Sequence, residues 1–549
     1  MPIITLLLTL AGALAWAAWL VRAGLVAAQI FQIEEYEVPR LLAWGAQPAW
    51  RWPPALLLGA VVALLFGLVV FFISERAEIA VALAMLIGAG LLNLRWRRLP
   101  AKKPIVYTPR MRRILGAGAA LLALVAALLA SGLLLLPPWA GWLISLAALL
   151  VGPSLALLLP VGGNLLMAPV ERNIQRGFVQ QARARIASLS PQVVGIAGSY
   201  GKTSTKHIAA QLLSRQIATL PTPKSFNTLM GITRTINEHL KPEHKLFLVE
   251  MDAYAVGEIA AMCDLVRPQA AVITAVGPQH LERFGTVEAI GDAVYELLAA
   301  LPKGGAALIY CGEAQTARLA VRAAAEGFRV VRYGMEGESA AQLDLIAEEV
   351  VMEGATTRFV LSWPAEGLRL PVSIPLLGRH TILNVSAAIG LAHLLGRSAE
   401  QAARWAARLD FVPHRLQLMP NTGGVTVIDD SYNANPVGVH NGLEALALFK
   451  GRAKILVTPG LVELGELQES ENRRYGEHAA TVCDHVILVG RAQTAPIQAG
   501  LQAGGMAADR LHIVQTLEEV TALLGQIAGP GDVVLFANDL PDSYLECKR

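Results

Sequence analysis

The chain has 549 residues, of which 54% are hydrophobic and only 16% charged, with a mean hydropathy of +0.47. That charge density is well below the roughly 25% usual for a soluble protein, and a formal net charge of +3 is too small to argue for a nucleic-acid partner. Cys263, Cys311, Cys483 and Cys547 are far apart and form no CxxC pair, which argues against a zinc site or a disulfide scaffold and fits a reducing compartment.

The apolar excess is concentrated in the first ~160 residues. Uncharged runs follow one another there: Ile3–Val21, closed by Arg22; Pro54–Ile73, between Arg51 and Glu75; the shorter Ile79–Leu94, closed by Arg95, Arg97 and Arg98; Ile114–Leu136; and Trp139–Leu159. A bilayer core takes about 20 apolar residues as helix, so residues 1–165 are expected to form a transmembrane domain of about five helices. With Ile79–Leu94 re-entrant or interfacial, the spans would instead number four. The first run lacks a basic leader and is followed by further apolar spans, so it does not read as a cleaved signal peptide. The basic loop from Arg95 to Arg113 and the loop holding Arg22, Arg40 and Arg51 fall on the cytoplasmic side of a five-span topology. The expected placement is a multi-pass protein of the cytoplasmic (inner) membrane, its N-terminus outside and its catalytic part in the cytoplasm.

Residues 166–190 read as a juxtamembrane linker helix, with Arg172, Arg176, Arg183 and Arg185 either on anionic headgroups or on a solvated face. Pro191 ends it. Val193–Ala197 then reads as a buried strand, followed by Gly198-Ser199-Tyr200-Gly201-Lys202-Thr203-Ser204-Thr205 and a helical pattern through Leu213. Strand, glycine loop, Lys-Thr and helix is the phosphate-loop arrangement. Glycines let backbone N–H groups converge on phosphate oxygens, and the helix N-terminus adds favourable partial charge. Gly198, Ser199, Gly201 and Ser204 are therefore candidate ATP contacts; Lys202 would reach the β- and γ-phosphates and Thr203 would ligate Mg²⁺. The strict pattern wants a glycine at Ile196, whereas this chain has Gly195.

Lys245–Glu250 reads as a buried strand ending in a carboxylate, where a parallel sheet binds its ligands, so Glu250 is the expected Mg²⁺ ligand. His280 stands on the loop beyond the next strand, Ala270–Val276. Ile455–Val457, Val486–Val489 and Val533–Phe536 read as further strands between helices.

In this order the motifs resemble the Mur ligase family, and within it the branch that joins a D-alanyl-D-alanine dipeptide to a UDP-muramoyl tripeptide. Gly195–Thr205 is similar to the family's ATP loop, Thr222–Gly231 to its threonine/asparagine substrate loop, and His280–Gly285 to its His-Leu-Glu segment. Leu377-Gly378-Arg379-His380, with Asn384, resembles the stretch at the adenine side of ATP. Asp429-Asp430-Ser431-Tyr432-Asn433-Ala434-Asn435-Pro436 is the most diagnostic run. The resemblance implies an α/β fold with a central ATP-binding domain at 191–412 and a C-terminal Rossmann-like domain at 413–549. It implies catalytic roles for Lys202, His280 and Arg415, metal contact by Thr203, Glu250 and His280, and ATP contact by His380, Asn384, Arg415 and Asp430. It places Thr222, Asn227, Asn433 and Asn435 at the substrates.

The chain also departs from the family. Membrane spans occupy the place of the domain that holds the UDP end of the substrate. Val294 stands where most members carry a carbamylated lysine, leaving a second Mg²⁺ weakly held or held otherwise, with Glu296 the candidate. His414 replaces a glycine before Arg415, and Thr381 replaces an asparagine. Asn538-Asp539 is either a subgroup feature bearing on amino-acid recognition or a simple turn.

The expected activity is ATP-dependent amide-bond formation through an acyl phosphate, adding an amino acid or the D-Ala-D-Ala dipeptide to a cell-wall peptide precursor at the cytoplasmic membrane face. The acceptor would be nucleotide- or lipid-linked. The alternatives are a membrane ligase for a γ-linked polyamino acid or a lipid-linked precursor, and a non-catalytic ATP-binding scaffold.

Overall fold

The computed structural model describes residues 3–46, 69, 87, 104–279, 281–338, 342–353, 356–432, 434–450 and 452–539. Apart from Val69 and Ile87, the second and third apolar runs lie outside the described residues. The chain divides into two compact units, meeting in sequence between residues 175 and 176.

The first unit is helical. Its first helix, Ile3–Ile33, outruns the uncharged run Ile3–Val21, because a single Arg22 does not interrupt the backbone ladder. The helix Pro109–Leu135 starts where Thr108 caps it, accepting from the Met111 amide at 3.1 Å, with Pro109 in the first turn; proline there sacrifices no helical bond. The helix Pro138–Ala156 is followed by a π-helical turn, Leu158–Gly162, and then by the long helix Gly163–Leu189. Leu6–Ile33, Pro109–Leu135 and Ser154–Leu189 are each long and apolar enough to cross a membrane. Packing inside the unit is close: a Cβ on Gly24 would lie 2.7 Å from the Cβ of Leu159. Trp16 and Trp19 are buried, and the Trp16 indole N–H donates to the Ala148 carbonyl at 3.1 Å, as an indole excluded from water requires.

The second unit holds two sheets. The larger comprises β1 (Gln192–Ala197), β2 (Thr219–Pro221), β3 (Leu246–Glu250), β4 (Ala270–Ile273), β5 (Ala306–Tyr310), β6 (Arg329–Met335), β7 (Leu345–Glu353), β8 (Thr356–Trp363) and β9 (Leu368–Ile374). Its order is β2-β3-β1-β4-β5-β6-β7-β8-β9, parallel through β7 and antiparallel at β8 and β9. Val194, Ile196, Leu246, Leu248 and Val272 face one core; Val193, Ala197, Phe247, Val249 and Ile273 face the other. Successive residues of a strand point to opposite faces, so burial on both sides makes these strands apolar throughout. Gly195 lies inside β1, and a Cβ there would come within 2.5 Å of Leu297 Cδ1. Its glycine therefore serves the approach of the helix Val287–Ala299 to the sheet, not the phosphate loop.

The smaller sheet comprises β10 (Gln417–Thr422), β11 (Val425–Asp430), β12 (Lys454–Thr458), β13 (His485–Val489), β14 (Leu511–Val514) and β15 (Val533–Ala537), in the order β10-β11-β15-β12-β13-β14. Only the β10–β11 pair is antiparallel.

The last turns of the helix Gly163–Leu189 belong to the second unit. Ala182 and Ile186 join its core, Arg183 pairs with Asp264 at 2.5 Å, and Arg185 donates twice to the Leu240 carbonyl, at 3.0 and 2.7 Å. This corrects the expectation for two of the four linker arginines. Arg183, itself exposed, and Arg185 are tied to protein, while Arg172 and Arg176 are exposed.

Candidate active site

In the larger sheet β1 lies between β3 and β4. The chain leaves β1 toward β2 and β3 and returns on the other side at β4, so a crevice opens at the carboxyl ends of these strands. The loop after β1 turns there. Gly198 and Gly201 adopt φ of 140° and 82°, values at which an L side chain is strained. A Cβ on Gly198 would collide with Thr274, and one on Gly201 would come within 2.7 Å of Asn384 Oδ1. The Ser199 amide donates to the Ala275 carbonyl at 2.6 Å, and its hydroxyl exchanges 3.0 Å hydrogen bonds with Gly277. The loop is thus braced against the segment after β4 before the helix Lys202–Leu213 begins.

Lys202 is buried and folds back on the loop, donating to the carbonyls of Gly198 at 2.6 Å and Ser199 at 3.1 Å, with Asp252 Oδ1 at 3.2 Å. The Thr203 hydroxyl donates to Glu250 Oε1 at 2.8 Å. Phosphate loop and strand-end acid therefore share one cleft. Asn227 Nδ2 donates to the same oxygen at 3.1 Å, and the Glu250 amide donates to the Thr222 hydroxyl at 3.2 Å. Lys206 pairs with Glu250 Oε2 at 2.9 Å. Burial pushes the Glu250 carboxyl up, but the Lys206 and Lys202 ammoniums and the Thr203 hydroxyl outweigh it and hold the group below the ordinary carboxylate range. A carboxylate that stays ionised beside a hydroxyl is a hard-oxygen donor set suited to Mg²⁺.

Ser204 lies half-buried in the first turn of the helix. Thr205 donates to Asn384 Oδ1 at 3.1 Å, joining the loop helix to the helix Arg379–Leu394. At the start of that second helix His380 is half-buried, with Nδ1 itself buried and lacking a partner among the described residues. Burial, and then the Arg415 guanidinium, lower its pKa to about 4, so its imidazole is neutral at physiological pH.

The segment after the larger sheet carries Arg415 over the Tyr432 ring, 4.8 Å from its centroid. The Leu416 amide donates to Asp430 Oδ1 at 3.2 Å. Burial pushes the Asp430 carboxyl up to about 7, against the lowering effect of Arg415 and the Leu416 amide. His414 has φ of 59°, the left-handed conformation that a glycine adopts freely. Its ring bonds Asp429 Oδ2 at 2.7 Å, which explains how a histidine is held where the resemblance expected glycine. Asn435 is the N-cap of the helix Pro436–Ala447, accepting from the Gly438 amide at 2.7 Å. His280 and Asn433 lie outside the described residues.

Val294 lines the cleft beside Gly198, Ser199 and Asp252, together with the apolar Ile259 and Ile290. Glu296 does not join it, a correction to the metal-holding role considered above. Its two oxygens accept from the amides of Gly257 at 2.5 Å and Ala260 at 2.8 Å, at the N-terminus of the helix Glu258–Val266. At about 100° per residue, residues 294 and 296 stand about 200° apart around the helix, so the two cannot share a face.

Sequence reasoning missed Lys206, although a lysine four residues beyond Lys202 returns to the same helical face. Asn538, singled out with Asp539 in the sequence, has a role that the sequence did not give. That residue, at φ of 71°, accepts from the Ala434 amide at 3.1 Å and donates to the Gly460 carbonyl at 2.6 Å. Its own amide donates to the Asp430 carbonyl at 3.2 Å. Asn538 is more than a bare turn: it braces the segment around Asp430.

Residues 196–392 match the Mur ligase middle domain, and residues 414–538 match the Mur ligase, glutamate ligase domain. The chain is 32% identical over 430 residues to the UDP-N-acetylmuramoyl-tripeptide–D-alanyl-D-alanine ligase of Mycobacterium tuberculosis (strain ATCC 25618 / H37Rv), covering 72% of this chain and 82% of that protein. It is 28% identical over 360 residues to the ligase of the same name from Bacillus subtilis (strain 168), covering 65% and 75%. Among solved structures, MurF from Acinetobacter baumannii superposes with a TM-score of 0.59 at 26% identity, over 67% of this chain and 78% of that one. MurF ligase from Thermotoga maritima in complex with ADP superposes with a TM-score of 0.58 at 26% identity, over 66% and 80%.

Proposed function

This chain belongs to the Mur ligase family, and from that premise we propose that it is an ATP-dependent amide-bond ligase of peptidoglycan synthesis, joining D-Ala-D-Ala to a UDP-muramoyl tripeptide or its membrane-linked equivalent. The observation that carries the reading is the 2.8 Å contact between Thr203 of the glycine loop and the buried Glu250 at the end of β3. It brings a phosphate cradle and a cation-holding acid into one cleft.

In the reaction the backbone N–H groups of the loop and the start of the helix Lys202–Leu213 hold the ATP phosphates. The Lys202 ammonium turns from the Gly198 and Ser199 carbonyls to the terminal phosphates, exchanging neutral acceptors for charged ones. Thr203 and Glu250 would hold Mg²⁺, which would supply charge neutralisation on the transferred phosphoryl group. The Thr222–Gly231 loop, with Asn227, orients the acceptor carboxylate for in-line attack on the γ-phosphate, releasing ADP and leaving an acyl phosphate. The dipeptide amine then attacks the acyl carbon; the tetrahedral adduct collapses, phosphate leaves, and the amine proton is lost to the surroundings. Arg415 neutralises charge on the phosphoryl oxygens, His280 would be a further ligand of the cation, and His380, Asn384 and Asp430 hold the adenosine. Positioning and electrostatics do most of this chemistry.

Three membrane-length apolar helices, the third running on into the second unit, support placement at the cytoplasmic membrane face, and they favour a second reading of the acceptor as lipid-linked. The deciding experiment supplies the detergent-purified full chain with ATP, Mg²⁺ and D-Ala-D-Ala. UDP-muramoyl tripeptide and a lipid-linked tripeptide are tested in parallel, and ADP and product masses are recorded. Absence of product with both acceptors would reject the substrate assignment.

A further inference from the structure

Glu250 has two oxygens in different company. Oε1 accepts from neutral donors, the Thr203 hydroxyl at 2.8 Å and Asn227 Nδ2 at 3.1 Å. Oε2 faces the Lys206 ammonium at 2.9 Å. The same ammonium donates to the carbonyl of Lys224, a residue of the loop between β2 and the helix Leu229–His239, and Lys206 itself has no solvent exposure. A fully buried lysine is rare unless its charge is matched. Here one cation joins three segments: the helix after the phosphate loop, the end of β3, and the loop read as the acceptor loop.

We propose that Lys206 is a positioning residue of the ligation site. By holding Glu250 Oε2 and the Lys224 carbonyl at once, it leaves Oε1 as the metal-facing oxygen and sets the spacing between the nucleotide loop and the acceptor loop. The inference rests on the reading of Glu250 as the metal-holding acid. The asymmetry of the carboxylate carries it. Only the Oε2 partner carries a full charge, and like charges repel, so an arriving cation takes Oε1 from the neutral Thr203 and Asn227 groups and leaves Lys206 on Oε2. Because the Lys224 carbonyl shares the ammonium, the acceptor loop cannot move away from Glu250 without leaving a buried charge under-solvated. Lys206 touches neither substrate; it acts through Glu250 and through the loop.

The test uses the detergent-purified full chain, with Mn²⁺ as the metal probe read by electron paramagnetic resonance in the presence of ADP. Loss of a group that orients a metal ligand costs about 10- to 100-fold in metal affinity. Lys206→Met is expected to weaken Mn²⁺ binding by about tenfold or more and to raise the acceptor KM. It should leave ADP affinity in EDTA unchanged, which a general structural lesion would not do. A folded Lys206→Met protein with wild-type Mn²⁺ affinity overturns the proposal. Should that variant fail to fold, Lys206→Met/Glu250→Gln, which removes both buried charges, is compared with Glu250→Gln alone. Equal Mn²⁺ affinities support the proposal, and a further tenfold loss in the double variant overturns it. Wild-type Mn²⁺ affinity in Glu250→Gln would instead overturn the assignment of Glu250, and the inference would fall with it.

Discussion

Lys202 directs its ammonium at the Gly198 and Ser199 carbonyls and at Asp252, so the loop is held in shape by the side chain proposed to reach phosphate. Lys202→Ala is expected to lower ADP release by about 10² or more, the usual cost of removing a transition-state charge donor. Circular dichroism should stay unchanged, and release at the wild-type rate would show that the nucleotide site lies elsewhere. Asp430 makes a different prediction. Burial raises its carboxyl from an ordinary 3.8 to about 7. A folded pKa above the unfolded one gives a stability contribution that is complete below about pH 4 and is lost as pH rises through about 7. The stability of Asp430→Asn relative to the wild type is therefore expected to increase from pH 4 to pH 7 and to level off above it. Urea unfolding across that range measures this, and a pH-independent difference would refute it. Lys202, Thr203 and Glu250 were legible because a glycine loop and a strand-end acid are local patterns. Lys206 was not, because its partners, at residues 224 and 250, come from distant parts of the chain.

Among the elements, β1 shows how a motif residue can belong to packing. The Gly195 position meets Leu297 of the helix Val287–Ala299, so Gly195→Ala is expected to cost about 1–3 kcal/mol by overpacking, read by urea denaturation. The nucleotide affinity of the protein that remains folded should be unaffected. Asn435 caps the helix Pro436–Ala447, and Asn435→Ala is expected to lose about 1 kcal/mol of stability. An unchanged unfolding midpoint would show that this cap is dispensable. The strands read from apolar runs matched to within a residue, as at β3 (Leu246–Glu250) and β12 (Lys454–Thr458), except β4, which ends at Ile273 where the run continues to Val276. The helix Gly163–Leu189 was only half readable: its arginines signalled a surface, and the fold turned Arg183 and Arg185 toward Asp264 and Leu240.

For the molecule as a whole, three membrane-length helices joined to a Mur ligase body predict that the full chain sediments with membranes. It should resist extraction by alkaline and high-salt washes and yield to detergent; recovery in the soluble fraction would contradict the membrane placement. By itself the sequence determined the apolar N-terminal region, the α/β ligase class and the phosphate loop. Each is written in contiguous residues whose spacing and hydrophobicity act locally. Tertiary structure decided which oxygen of Glu250 faces Lys206, why glycine sits at 195, that Glu296 serves a helix terminus, and that Asn538 braces Asp430. These depend on strand order and on crossovers that bring residues far apart in the chain to within hydrogen-bond distance, and no local pattern encodes such distances.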